Sequence, residues 1–187
     1  MKCAKTAYSF CSGVVEMYYS KRSLILGFLA AAAGGVLLHF LYDWFPNALT
    51  LWFAPVKESL WEHVKILFWP YLGAAAVLTR GRPGALRPWL LTVLLMCGAM
   101  LLVGYGYHVI LGGDNAAVDI SLFFLMMAFG FWFAPRFSGP FRGGLWMAPV
   151  VLAVVLVVLI GLFSLRPPEN VLFDDLSAVR TWLRIPV

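Results

Sequence analysis

The sequence predicts an all-α integral membrane bundle of five transmembrane helices, with the N-terminus cytoplasmic and the C-terminus outside. Three observations lead there. Of 187 residues, 62% are hydrophobic and only 12% charged, with mean hydropathy +0.86, too little charge to clothe a water-soluble domain. Apolar stretches of spanning length recur along the chain. Lys and Arg fall mainly in alternate short loops, as cytoplasmic loops require.

Taken in order, residues 1–22 mix aromatic and polar positions with Lys2, Lys5, Lys21 and Arg22 and read as a cytoplasmic or interfacial arm. The membrane domain is expected over 23–166. Its first span runs over about 24–42 and is rich in small residues (Gly27, Ala31, Gly34, Gly35), which let another helix come close. Lys21-Arg22 followed by an apolar run and Ala30–Ala33 has the outline of a signal peptide, but the segment is expected to stay as a span. A loop over 44–54 follows.

Pro55 suits the first turn of a second helix over about 55–78, where a missing N–H costs nothing. Glu58, Glu62 and Lys65 make its start too polar for lipid, so that end is expected to face protein, and Pro70 is expected to kink it. A third span covers about 88–110, and Leu111-Gly-Gly-Asp-Asn makes a tight turn. The fourth and fifth cover about 116–134 and 145–165, and Arg166-Pro-Pro starts an extracytoplasmic tail over 167–187.

The positive-inside rule assigns Arg80, Arg82, Arg87, Arg136 and Arg142 to the cytoplasm, while the opposite side receives Lys57, Lys65, Arg166, Arg180 and Arg184, offset by Asp43, Glu58, Glu62, Asp114, Asp119, Glu169, Asp174 and Asp175. The net charge of +5 therefore marks loops rather than a basic patch, and nucleic acid is not expected as a partner. Cys3, Cys11 and Cys97 form neither a CxxC pair nor a disulfide framework.

All three histidines fall toward the outer side, His39 late in the first span, His63 early in the second and His108 late in the third. His39 and Asp43 share a helix face, as do Glu58 and Glu62, while Asp119 enters the fourth span one turn inside its start. Ionisable groups at such depth turn inward and pair. His39, His63 and His108, with Asp43 beside them, are the candidate ligands of a divalent transition metal such as zinc, and Glu62, Asp119 and Glu58 the candidate acids and bases. The purely structural alternative is a buried network: Glu62 with Lys65, His39 with Asp43, and Asp119 capping the fourth helix. A third reading makes the acids a solute or proton path. HExxH, GxSxG and phosphate-loop patterns are absent, and the glycines of Gly104-Tyr-Gly-Tyr-His108 read as room for a neighbour.

Leu38-His-Phe-Leu-Tyr-Asp-Trp44, Ala54-Pro-Val-Lys-Glu-Ser-Leu-Trp-Glu-His-Val-Lys-Ile-Leu-Phe-Trp-Pro70, Asp119-Ile-Ser-Leu-Phe123 and Arg166-Pro-Pro-Glu-Asn-Val-Leu-Phe-Asp174 carry a resemblance. Over most of its length the chain resembles an uncharacterised family of small bacterial multi-pass membrane proteins, catalogued only as a domain of unknown function. The resemblance implies a bacterial plasma membrane and supplies no activity. The family's motifs fall on His39, Asp43, Pro55, Glu58, Ser59, Trp61, Glu62, His63, Pro70 and Asp119, while its usual Asp-Pro and Gly-Tyr ending is missing here.

Three functions are consistent with this sequence. The first is a membrane-embedded, metal-assisted hydrolase or transferase acting on a lipid-type substrate, with Lys57 or Lys65 meeting an anionic head group. The second is a transporter or channel-like subunit using the acids as a cation or proton site. The third is a non-catalytic scaffold that docks a membrane-protein partner.

Overall fold

The computed structural model describes residues 19–82, 84–136 and 147–176. The predicted arm up to residue 18, the start of the fifth span at 145–146 and the tail beyond 176 lie outside them. All regular structure among the described residues is helical: α1 (Lys21–Trp44), α2 (Thr50–Phe53), α3 (Leu60–Leu78), α4 (Leu86–Tyr105), α5 (Ala116–Phe133) and α6 (Ala148–Leu165). One π-helical turn, Gly106–Ile110, continues α4, and one 3₁₀ turn, Val171–Phe173, follows α6.

Four of these, Lys21–Trp44, Leu86–Ile110, Ala116–Phe133 and Ala148–Leu165, are long and apolar enough to cross a membrane. Their outer faces carry exposed Leu, Val, Ile and Phe, such as Leu26 and Leu29 on α1, Ile120 and Leu125 on α5, and Val154 and Val158 on α6. So much contiguous apolar surface suits lipid and not water.

α3 falls short of that composition because it holds Glu62, His63 and Lys65. It has no need of it, since α3 sits at the centre and packs against α1, α4, α5, α6 and the 3₁₀ turn. Polar groups that lipid would reject are met there by protein.

The sequence placed the start of this helix at Pro55, and the structure moves it to Leu60. Ser59 is the reason. Its backbone is extended, its hydroxyl accepts the Glu62 N–H at 3.3 Å, and the helix can begin only after it. Ser59 and Glu62 stand at capping-box spacing, but the Glu62 carboxylate reaches past the cap to accept the Val56 N–H at 2.8 Å. Further along, α3 runs helically through Pro70, whose ring lies against Gly34 of α1. The loop predicted over 44–54 contains α2, fastened at its start by the Asn47 side chain, which accepts the Leu49 and Thr50 N–H groups.

Below α3's polar end the core closes. Tyr71, Trp89 and Phe131 pack edge to face or tilted with centroids 5.4–5.5 Å apart, and Val93, Met96 and Met127 beside them are fully buried. The Tyr71 hydroxyl donates to the Gly130 carbonyl at 3.1 Å, so even this buried polar atom is satisfied.

Candidate functional site

Antiparallel packing brings the C-terminal turns of α1 and α4 and the N-terminal turns of α3 and α5 to one end of the bundle. A cavity of about 480 Å³ opens among them, lined on its polar side by His39, Glu58, His63, His108, Asp114 and Asp119. Five of the seven residues selected by depth and sidedness therefore share one space. A larger groove of about 1020 Å³ on the α1–α3 side holds no imidazole or carboxylate among its lining residues.

Two sub-constellations divide the polar wall. In the first, Glu58 lies between two imidazoles, its Oε1 3.5 Å from His39 Nε2 and its Oε2 3.2 Å from His63 Nε2. All three residues offer a ligand atom, and these atoms lie within 4.8 Å of one another. His63 Nδ1 is 2.8 Å from the Ser59 carbonyl. A carbonyl can only accept, so Nδ1 carries a proton and Nε2 is the nitrogen turned to the cavity. That is how metal-binding histidines are commonly oriented. Glu58 precedes α3, and its hydrogen bond with His63 holds its carboxyl below the usual carboxylate range, against the opposing effect of partial burial. It is therefore ionised at neutral pH and fit to bind a cation.

In the second, His108 Nε2 lies 2.7 Å from Asp119 Oδ1, and His108 Nδ1 is 3.0 Å from the Gly113 carbonyl. By the same logic Nδ1 donates, and a proton sits between Nε2 and Asp119. His108 was expected beside His39 and His63 as a third ligand; in the structure Glu58 lies between those two rings, and His108 pairs with Asp119. The local cause is backbone. Gly112, at φ +67°, bends the chain so that the Gly113 carbonyl faces the ring. The π turn, closed by Leu111 N–H donating to Gly106 O at 3.0 Å, carries His108. Gly104 makes room for Leu60, as its place in the motif suggested.

Two candidates stand elsewhere. Asp43 is exposed and does not line the cavity; His39 meets Glu58 instead of its helix-face neighbour. Glu62 is turned away and buried with Lys65, Nζ to Oε2 at 2.6 Å, while the same Nζ donates to the Leu51 and Ala54 carbonyls at 2.8 and 3.0 Å. This pair clamps α2 and the bends after it onto α3. The structural alternative is therefore correct for Glu62–Lys65 and not for the other two, since Asn115 rather than Asp119 caps α5. Lys65 is spent in that clamp, and Lys57 does not line the cavity either, so among the described residues no Lys or Arg lines the site.

The tail supplies what the sequence had left without a role. Phe173 packs against Trp61 and Phe163 with centroids 5.4 and 5.2 Å away. Leu176 N–H then donates to the Glu58 carbonyl at 2.7 Å, and Leu176 joins the cavity lining.

Fold and site together define a class: an all-helical chain with four membrane-length apolar helices and an imidazole–carboxylate cavity at one end. The chain belongs to a family of unknown function, DUF6512, whose model matches residues 15–181. No curated protein and no solved structure matches it.

Proposed function

We propose that this is a plasma-membrane protein of a bacterium that binds a divalent transition metal such as zinc on His39, Glu58 and His63 and uses it for hydrolysis or group transfer on a lipid-type substrate. In this reading α3 is the fifth span, about 28 Å long at 1.5 Å per residue, and the site faces outward. The observation that carries the proposal is the convergence of three ligand atoms within 4.8 Å from two separate stretches of chain. Two imidazole nitrogens and one carboxylate suit zinc and leave a coordination position open.

A metal bound there would polarise the substrate and lower the pKa of a bound water. The protein's own groups do the rest. Ser59 fixes the His63 ring through its carbonyl, and Glu58 balances charge. Asp119, oriented by His108 across the cavity, takes the proton from the attacking water oxygen and returns it to the leaving-group oxygen as that bond breaks. Tyr71 and Met127 are fully buried under the cavity, and this packing supports chemistry over transport.

The test is metal content of detergent-purified protein prepared without chelator. About one equivalent is expected in the parent, less than a tenth of that in His39→Ala/His63→Ala, and near-parental content in His108→Ala. Retention of metal by the double variant, or none in a zinc-incubated and desalted parent, overturns the reading. Circular dichroism and monodispersity confirm that each variant is folded.

A further inference from the structure

We infer that the cavity receives a membrane lipid sideways, through a gap between α1 and α5, with the lipid's head at the imidazole–carboxylate wall and its hydrocarbon chain left in the bilayer. This rests on the metal-centre reading only for what happens to the head. The entry route stands on separate observations.

The first is the lining. Away from its polar wall the cavity is bounded by Val36, Phe40, Ile66, Met100, Ile120 and Phe123, among other apolar groups. Val36, Ile66, Met100 and Phe123 lie about one to two helical turns deeper than the ionisable groups on the same helices: Val36 precedes His39, Ile66 follows His63, Met100 precedes His108, Phe123 follows Asp119. One space is thus polar at the bundle's end and apolar toward its middle, the polarity gradient of a lipid rather than of a soluble metabolite.

The second is the position of the mouth. Val36 and Phe40 on α1 and Ile120 and Phe124 on α5 all line the cavity and stay 40–58% exposed. They are the lips of a lateral opening, and their chemistry matches acyl chains. The inner wall is different: Ile66, Met100 and Phe123 are at most 7% exposed, so lipid outside the bundle does not touch them.

The third is the size of the space. Leu176, held to the Glu58 carbonyl at 2.7 Å, lines the cavity beside that residue. A volume of about 480 Å³ takes a head and the first carbons of a chain, not a whole phospholipid. The remainder has to stay outside, and the lateral gap gives it somewhere to lie.

The experiment is photolabelling of the full chain in phosphatidylcholine–phosphatidylglycerol vesicles containing a phospholipid with a diazirine near the start of one acyl chain. Adducts are mapped by mass spectrometry, with metal content measured on the same samples. In the parent, adducts are expected on the inner-wall residues Ile66, Met100 and Phe123. Val36→Trp and Ile120→Trp, which fill the gap, should each cut inner-wall labelling at least fivefold with metal content unchanged. Val154→Trp, on the lipid face of α6, should leave it as in the parent. Inner-wall residues free of adducts in the parent, or labelling indifferent to both gap-filling variants, overturns the inference. The parent's map needs no variant to fold. Inner-wall labelling without metal leaves lateral entry standing and sinks the metal reading; metal without such labelling does the reverse.

Discussion

Among the described residues Lys65 is the most fully enclosed charge, with no exposed side-chain surface, and its partner Glu62 is nearly as buried. Each compensates the other, and each also satisfies backbone groups of the preceding segment, so removing one leaves an unpaired buried charge. Lys65→Met is expected to cost about 3–5 kcal/mol, read as lowered thermal unfolding in detergent, and Glu62→Gln/Lys65→Met should recover part of that loss. A Lys65→Met protein as stable as the parent would mean the clamp holds nothing. At this scale the sequence was only half legible. Depth and sidedness picked His39, Glu58, His63, His108 and Asp119 correctly as neighbours, because ionisable groups in apolar spans must turn inward. Which neighbour meets which was hidden. Helical spacing offered Asp43 to His39, whereas Glu58, nineteen positions away in the chain, takes that ring.

Elements were legible where apolar length alone defined them. α4 with its π turn and α5 start and stop within a few residues of expectation, since nothing competes with a long apolar run. α3 was misread by five residues at its start because Pro55 is an acceptable first-turn residue and only the Ser59 cap, with Glu62 three positions on, argued otherwise. That shift matters, for it leaves Glu58 in the bend before the helix, where it can lie between two imidazoles. The approach of α1 to α3 and α5 hangs on Gly35. A Cβ there would sit 2.6 Å from Phe123 Cζ and 2.7 Å from the Ile66 carbonyl, and backbone cannot yield as a side-chain tip can. Gly35→Ala should therefore lose about 1–3 kcal/mol by overpacking. Gly73→Ala, where the added carbon meets open space, should be neutral or gain up to about 1 kcal/mol in helix propensity. Parallel thermal melts decide it, and equal behaviour of the two variants would refute the tight seam.

For the whole molecule the consequential choice is topology. With Cys97 buried, a background in which all three cysteines are replaced by Ser or Ala permits accessibility mapping. Asp114→Cys is expected to react with a membrane-impermeant maleimide in intact cells, and Arg80→Cys only after permeabilisation; the opposite pattern would turn the cavity to the cytoplasm. The fold-back of the tail was beyond sequence reading, because its meaning lies in contacts with residues more than a hundred positions earlier. Phe173 against Trp61 and Leu176 on Glu58 are two such contacts. They also impose an order on biogenesis. The imidazoles leave the ribosome early, whereas Leu176, which joins their cavity lining, comes after the last helix. While the helices are being inserted, the nascent cavity stands open to whatever ions its surroundings offer. Completion of the chain ends that interval, because only then can Leu176 reach the Glu58 carbonyl.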